Sequence, residues 1–456
     1  MKQPVVLFAS LCFLASEAMQ AQNAQNSPKA YVVSDAHLDT QWNWDIQTTI
    51  QEYVWPVMMQ GCAFLLILAV GLFGLTHAAA PSLIRLLISS DAIFDATKEF
   101  LNWRIFGFFF AFVNVMFRAL YIGILTSGGD CPGINATIRG VCKTAISHYG
   151  MEVYGIRSGF RGLLDNDIIP LDENSLTGLL SMGGTILGTS REKPFKNRAN
   201  VPVSEDKPAM MLKTIRERKL DCVVCIGGNG TQKTAAKLAA TGVNVVTVPK
   251  TIDNDVWGTD ISFGFDSAVS IATEAIDRLH STASAHQRVM VIEVMGHKAG
   301  WIALYSGMAG GGDIILLPEI PFDIHRIGDT IISRLKKGKP YSIVVVAEGI
   351  PTLGGKKAAQ YIAEEIEYET GFETRETVLG YIQRGGGPTA FDRNLATRMG
   401  GHATELIVSG QFGRMVSLRG SEITSVPLSE VAGKLKLVTE EHDLVIQGRR
   451  MGICFG

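Results

Sequence analysis

The apolar positions of this chain follow one pattern before residue 120 and another after it. From Tyr53 to Ile84 there is no Asp, Glu, Lys or Arg, a run long enough to cross a bilayer as a helix. A second apolar and aromatic stretch, Ile105 to Phe117, is short for a full span. Met1 to about Ala24 has the layout of a secretory leader: Lys2 at the start, an apolar core from Val5 to Ala15, and small residues near Ala18 to Ala21. From Tyr121 onward the apolar residues fall into short runs bounded by glycine. Ile122–Leu125, Val223–Ile226, Val245–Val248 and Ile343–Ala347 each read as a strand buried on both faces. Helical spacing follows the first run from Ala136 to Ser147, and an Ala-rich helix follows the second. Strands alternating with helices predict an α/β fold with parallel sheets.

A length of 456 residues allows two to four domains and a large core. The net charge of −2 gives no footprint for nucleic acid, so any cations that bind phosphate must be clustered locally. The seven cysteines are Cys12, Cys62, Cys131, Cys142, Cys222, Cys225 and Cys454; odd in number and scattered, they form no disulfide framework. Cys222 and Cys225 stand three apart on a predicted strand, so their side chains point to opposite faces and share no metal.

The chemistry lies in the turns. Ser127-Gly-Gly-Asp-Cys-Pro-Gly-Ile-Asn joins a strand to a helix, as does Gly227-Gly-Asn-Gly-Thr. Glycine lets backbone approach an anion, and a helix amino end favours negative charge, although glycine in such turns also serves packing alone. A third turn, Gly183-Gly-Thr-Ile-Leu-Gly-Thr-Ser-Arg191, places a guanidinium where it could neutralise a transferring phosphoryl group. Asp253 and Asp255, in Thr251-Ile-Asp-Asn-Asp, follow the apolar run Val245–Val248. In open α/β sheets ligands bind at the carboxyl ends of strands. Paired carboxylates there suit phosphoryl transfer, one taking the proton of an attacking hydroxyl and the other positioning a magnesium ion.

These segments, with Glu293-Val-Met-Gly and Gln383-Arg-Gly-Gly, occur in the order and spacing of the phosphofructokinases, and from about Ile122 to Gly456 the chain resembles that family. The resemblance implies two interleaved doubly wound lobes, residues 122–263 plus 383–433 for the phosphoryl donor and 264–382 plus 434–456 for the sugar phosphate. It implies transfer to the 1-hydroxyl of fructose 6-phosphate, with Asp253 as general base and Thr251 and Arg191 assisting. Gly129, Arg191, Gly228, Asn229, Gly230, Thr231 and Lys250 would face the donor. Asp255 and Asn229 would hold Mg2+. Arg288, Met295, Gly296, Glu348, Arg375, Tyr381 and Arg384 would join Thr251 and Asp253 around the sugar phosphate. Some of the arginines in this family reach in from a neighbouring subunit, which implies a homo-oligomer with shared sites. Tyr381 stands where many bacterial members have histidine.

Donor choice turns on two positions. Many pyrophosphate users carry an aspartate at the position of Gly230, which blocks a nucleotide; glycine leaves room for ATP. They also carry the lysine seen here as Lys250, so ATP is expected and pyrophosphate is the alternative. Asn229 replaces the family's usual aspartate; its neutral amide is a weaker ligand for a hard cation, which would pass more of the metal role to Asp130 and Asp255. Arg139 keeps the usual effector-site arginine, but Lys143 replaces a second one and cannot make a bidentate fork, so the customary allosteric control is not expected.

The preceding residues resemble other proteins. Tyr31 to Trp44, with His37 and Asp39, resembles the opening of class II alpha-mannosidases over residues 25–60; two zinc ligands are too few for a catalytic site. Residues 61–121 resemble multidrug and toxin extrusion transporters, in Phe112-Val-Asn-Val-Met-Phe-Arg. The expectation is a composite: a non-homologous, partly hydrophobic helical extension on a cytoplasmic kinase module, membrane-associated at most through residues 53–120. An inactive membrane-anchored remnant is the alternative of another class.

Overall fold

The structure, a computed structural model, describes Ser82, residues 120–195 and residues 206–456. The leader-like, mannosidase-like and transporter-like segments, with both apolar stretches, lie outside the described residues but for Ser82, Leu120 and Tyr121. The chain divides into two units, Met1–Arg118 and Ala119–Gly456. Among the described residues no helix is long and apolar enough to cross a membrane.

In chain order the elements are β1 (Tyr121–Ser127), α1 (Ile134–Lys143), β2 (Glu152–Ile156), α2 (Phe160–Asp165), β3 (Ile168–Leu171), α3 (Lys207–Glu217), β4 (Cys222–Gly227), α4 (Asn229–Ala240), β5 (Val245–Pro249), α5 (Phe265–His286), β6 (Val289–Val294), α6 (Trp301–Ala309), β7 (Ile314–Leu316), α7 (Ile324–Lys336), β8 (Ser342–Ala347), α8 (Ala358–Thr370), β9 (Thr374–Val378), α9 (Ala390–Val408), β10 (Arg414–Arg419), β11 (Glu422–Pro427), α10 (Leu428–Val431) and α11 (Asp443–Arg450). The helix expected over Ala136–Ser147 is α1 followed by one wider turn, Thr144–His148.

Seven strands form one sheet in the order β11-β10-β5-β4-β1-β2-β3, and four form another in the order β7-β8-β6-β9. The small sheet is parallel throughout. In the large sheet only the edge strands β3 and β11 run antiparallel to their neighbours. β4 and β8 are buried at every residue, as expected of strands covered by helices on both faces. One continuous apolar cluster runs from Ile122 and Val224 of the large sheet to Ile292 and Val345 of the small one. Separate clusters cover the outer face of each sheet. Cys222 joins the shared cluster and Cys225 the outer one, on opposite faces of β4 as the strand period requires.

The last residues are woven into the small sheet. Ile315 N donates to Cys454 O at 2.9 Å, Cys454 N donates to Asp313 O at 3.1 Å, and Phe455 is buried. The first two Gly-rich turns follow β1 and β4, and the turn carrying Asp253 and Asp255 follows β5. The segments Met295–His297, Glu348 and Gly380–Arg384 follow β6, β8 and β9. All therefore lie at carboxyl ends of parallel strands, where an open α/β sheet binds its ligands.

Candidate active site

The first turn is pinned by the third. Gly128, at φ 88°, adopts a conformation open to glycine; its N–H donates to Ser190 O at 3.1 Å, and Thr189 Oγ1 donates to Gly128 O at 2.6 Å. These bonds hold the exposed Arg191 beside the cradle. A side chain at Gly129 would meet Arg384, whose Nη1 lies 2.7 Å from an ideal Cβ, so the guanidinium rests over bare backbone. Lys250 is buried and its ammonium donates to Gly129 O. Burial pushes that ammonium below the usual lysine range.

The second turn opens α4. Thr231 and Gln232 both donate their N–H to Gly228 O, at 2.9 and 3.0 Å, starting the helix. Buried Thr231 also donates through Oγ1 to Ser127 O at 3.3 Å, tying this turn to the first. A Cβ on Gly230 would meet nothing within 4 Å, so the space above the helix amino end is open. Asn229 Nδ2 donates to Asp255 O at 3.3 Å. Its Oδ1 is buried and has no partner.

After β5 the chain turns sharply. Asn254 holds φ 50° between the two aspartates, a left-handed conformation that asparagine tolerates better than most residues. It is fixed by Ser262 N, which donates to Asn254 Oδ1 at 3.1 Å. Asp253 N donates to Thr251 Oγ1 at 3.1 Å, and Ser262 Oγ donates to Thr251 O at 2.8 Å. Burial pushes the half-buried Asp253 carboxyl up to about 6; Asp255 and Glu348 add to the rise, and Arg384 and His297 oppose it. Its Oδ1 has no partner. Burial also raises Asp255, against the opposing effect of Asn229.

The unpartnered Asn229 oxygen and the Asp255 carboxylate are hard oxygen donors of the kind magnesium takes, and in that respect the residues fit the ion. Among the described residues no group of three or more His, Cys, Asp or Glu is placed to hold a metal. A cation here would therefore complete its shell with phosphate oxygens and water, as magnesium commonly does.

The small sheet supplies the facing wall. Gly296 N and His297 N donate to Glu348 Oε1 at 3.3 and 2.8 Å, which orients that exposed carboxylate. Buried Met295 donates through N to Gln383 Oε1 at 3.3 Å, and Gln383 Nε2 donates to Gly380 O at 3.1 Å. Arg384 lies 5.4 Å over the ring of Tyr381, which is itself 74% exposed.

Thr251, Asp253, Asp255, Asn229, Lys250, Arg384 and the Glu348 loop thus gather in one place. Arg288 and Arg375 do not join them. They share the Glu373 carboxylate, at 3.2 and 2.7 Å, at the amino ends of β6 and β9, where Val289 pairs with Thr374. Met295 follows the far end of β6, about 20 Å away for a strand of that length. Arg288 Nε is buried without a partner. Gln383, Asn254 and Lys436 were given no role from the sequence; Gln383 and Asn254 stand inside the Gln-Arg-Gly-Gly and Thr-Ile-Asp-Asn-Asp motifs, whereas Lys436 carries no local sign because its partner Asn254 lies 182 positions away.

The phosphofructokinase family model matches residues 121–407. The chain is 79% identical over 335 residues to an ATP-dependent 6-phosphofructokinase of Bacteroides thetaiotaomicron, covering 74% of this chain and 99% of that one. It is 54% identical to one of Spirochaeta thermophila over 359 residues, covering 73% and 97%. It is 46% identical over 335 residues to a pyrophosphate–fructose 6-phosphate 1-phosphotransferase of Streptomyces coelicolor, covering 70% and 96%. Among solved structures, Pichia pastoris phosphofructokinase in the T-state matches with a TM-score of 0.63 at 31% identity, over 69% of this chain and 35% of that one. With these relatives matched over nearly their whole length by residues 121 onward and with the same fold, the chain belongs to the phosphofructokinase family.

Proposed function

We propose that this chain is a 6-phosphofructokinase that transfers the terminal phosphoryl group of ATP to the 1-hydroxyl of fructose 6-phosphate, giving fructose 1,6-bisphosphate in glycolysis. The observation that carries this is the meeting of two carboxylates, the open amino end of α4 and two basic side chains at one set of strand ends, in a chain 79% identical to an ATP-dependent relative along that relative's length. Asp253 takes the hydroxyl proton as the new O–P bond forms and the bond to the leaving ADP breaks. Its raised affinity for protons makes it a better base than an ordinary aspartate. Lys250 faces the growing negative charge from the first cradle, and Arg191 reaches it from the third turn. Gly129, Gly228 and Thr231 offer backbone and hydroxyl to the donor phosphates. Asp255 and Asn229 would hold Mg2+, which when bound neutralises charge on the donor phosphates.

Glu348, Met295 and Gly296 line the sugar side, with Tyr381 and Arg384 towards its phosphate. Arg288 and Arg375 serve the site of a second copy, so the working enzyme is a homo-oligomer acting in the cytoplasm. The open space over Gly230 favours ATP. The test is a coupled assay of the full chain with fructose 6-phosphate and magnesium, run with ATP and separately with pyrophosphate. Turnover with ATP that disappears in Asp253→Asn is expected. Turnover with pyrophosphate alone would overturn the donor assignment, and turnover with neither would overturn the function.

A further inference from the structure

Lys436 lies in the segment after α10, 182 positions from Asn254, yet its half-buried ammonium donates to Asn254 Oδ1 at 2.9 Å. It also donates to Thr259 O at 3.0 Å and to Asp260 O at 2.6 Å. All three ammonium hydrogens therefore go to one loop, the one that carries Asp253 and Asp255. The backbone adds to the tie. Lys436 N donates to Asp255 O at 2.9 Å, and the neighbouring Leu435 bridges antiparallel to Val256.

The same residue is held from the small sheet's side. Trp301 Nε1 donates to Lys436 O at 2.9 Å, and the Lys436 ammonium sits 5.4 Å from the Trp301 ring centre. Trp301 opens α6, directly after the loop in which Ala299 N donates to Gly296 O at 2.9 Å. Two residues on, Val438 N donates to Glu319 Oε1 at 3.0 Å, the carboxylate that also accepts from Gly300 N at 2.9 Å. One short segment thus bonds to the turn holding the two carboxylates and to the root of the loop that faces the sugar.

We propose that Lys436 is a positioning residue for phosphoryl transfer, fixing the Asp253–Asp255 turn and setting its distance from the Gly296 loop. This rests on the kinase reading above. A buried cation is costly unless fully hydrogen-bonded, and here every donor is used on the loop that performs the chemistry. The Asn254 bond acts on the left-handed residue between the two aspartates, where a small change of backbone angle moves both carboxylates. A displacement of about 1 Å at a reacting group can cost on the order of a hundredfold in rate. Burial pushes the ammonium down to about 8, opposed by Asp260 and Asp255 and reinforced by Arg419.

The test uses the full chain and two readouts. Lys436→Met keeps the apolar stem over Trp301 and deletes the donors. It is expected to lower kcat roughly 30- to 100-fold while KM for fructose 6-phosphate and ATP changes less than about threefold. Amide hydrogen exchange of residues 251–262 is expected to quicken about tenfold or more, with β4 and α4 unchanged. Lys436→Arg, which retains a cation, should restore most of kcat. Trp301→Phe removes the indole donor to Lys436 O, keeps an aromatic ring at a buried position and leaves the Lys436 ammonium in place; it should also quicken exchange at residues 251–262, so the proposal can be measured even where Lys436→Met fails to fold. Exchange at wild-type rates in that loop overturns the proposal, as does faster exchange with kcat within about twofold of the parent. If the parent itself has no sugar kinase activity, the kinase reading fails while exchange still decides whether Lys436 holds the turn.

Discussion

At the scale of the residue, Asp253 concentrates the prediction. Its carboxyl is held up at about 6 by burial and by Asp255. As a general base it must be ionised, so kcat/KM should fall as pH drops through about 6, and a profile flat down to pH 5 would contradict its role. Asp253→Asn should cost about 10²- to 10⁴-fold in turnover. The same variant should be more stable than its parent. With a folded-state value above the unfolded one, the protonated Asp253 contributes stability that is fully present below about pH 4 and lost as pH rises through about 6. The Tm advantage of Asp253→Asn should therefore be largest at pH 7 to 8 and shrink towards pH 4, which thermal scans across that range would check. Gly230 carries a second prediction. Since nothing lies within 4 Å of a Cβ there, Gly230→Asp should fold with an unchanged Tm. Its new charge would stand where the nucleotide phosphates approach, and ATP turnover should fall at least about tenfold, the factor that about 1.4 kcal/mol of lost donor interaction produces. An equal loss with pyrophosphate would show that the position does not select the donor.

At the scale of the element, the loops that bear the chemistry are set by close backbone approaches. A Cβ on Gly349 would lie 2.0 Å from His297 O, so Gly349→Ala must push the Met295–His297 loop away from Glu348. We expect a loss of about 1–3 kcal/mol in stability, read by denaturant titration, and a raised KM for fructose 6-phosphate with little change for ATP. The strands beneath these loops were plain in the sequence, because Cys222-Val-Val-Cys-Ile and Val245-Val-Thr-Val are apolar runs, broken only by Thr247, that end in glycine or proline, the signature of strands buried on both faces. The turn carrying Asp253 was legible for the same reason: it follows such a run directly. The devices that hold it were not. Gln383 meets Met295 across 88 positions and Lys436 meets Asn254 across 182, and neither periodicity nor local spacing carries information at that separation. Asn229 illustrates a middle case, where its replacement of an aspartate was visible but its unpartnered Oδ1 was not.

At the scale of the whole molecule, Arg288 and Arg375 stand at the amino ends of the small sheet while Asp253 stands at the carboxyl ends of the large one. If the arginines serve a second copy, Asp253→Asn and Arg375→Ser should each be inactive alone. Mixed by co-expression they should regain up to roughly a quarter of parental activity, because half of randomly paired dimers are hybrids and one of their two sites is intact. Absence of recovery in verified hybrids would place Arg375 in its own chain's site. The apolar cluster shared by the two sheets means that they are stabilised together rather than as independent bodies. The weaving of Cys454 and Phe455 into the small sheet then bears on biosynthesis. Ile314 of β7 pairs with Cys454, 140 positions further along the chain, so the outer edge of β7 stays open until that late segment has been made and has docked. A folding intermediate without it would present an unprotected strand edge to its neighbours.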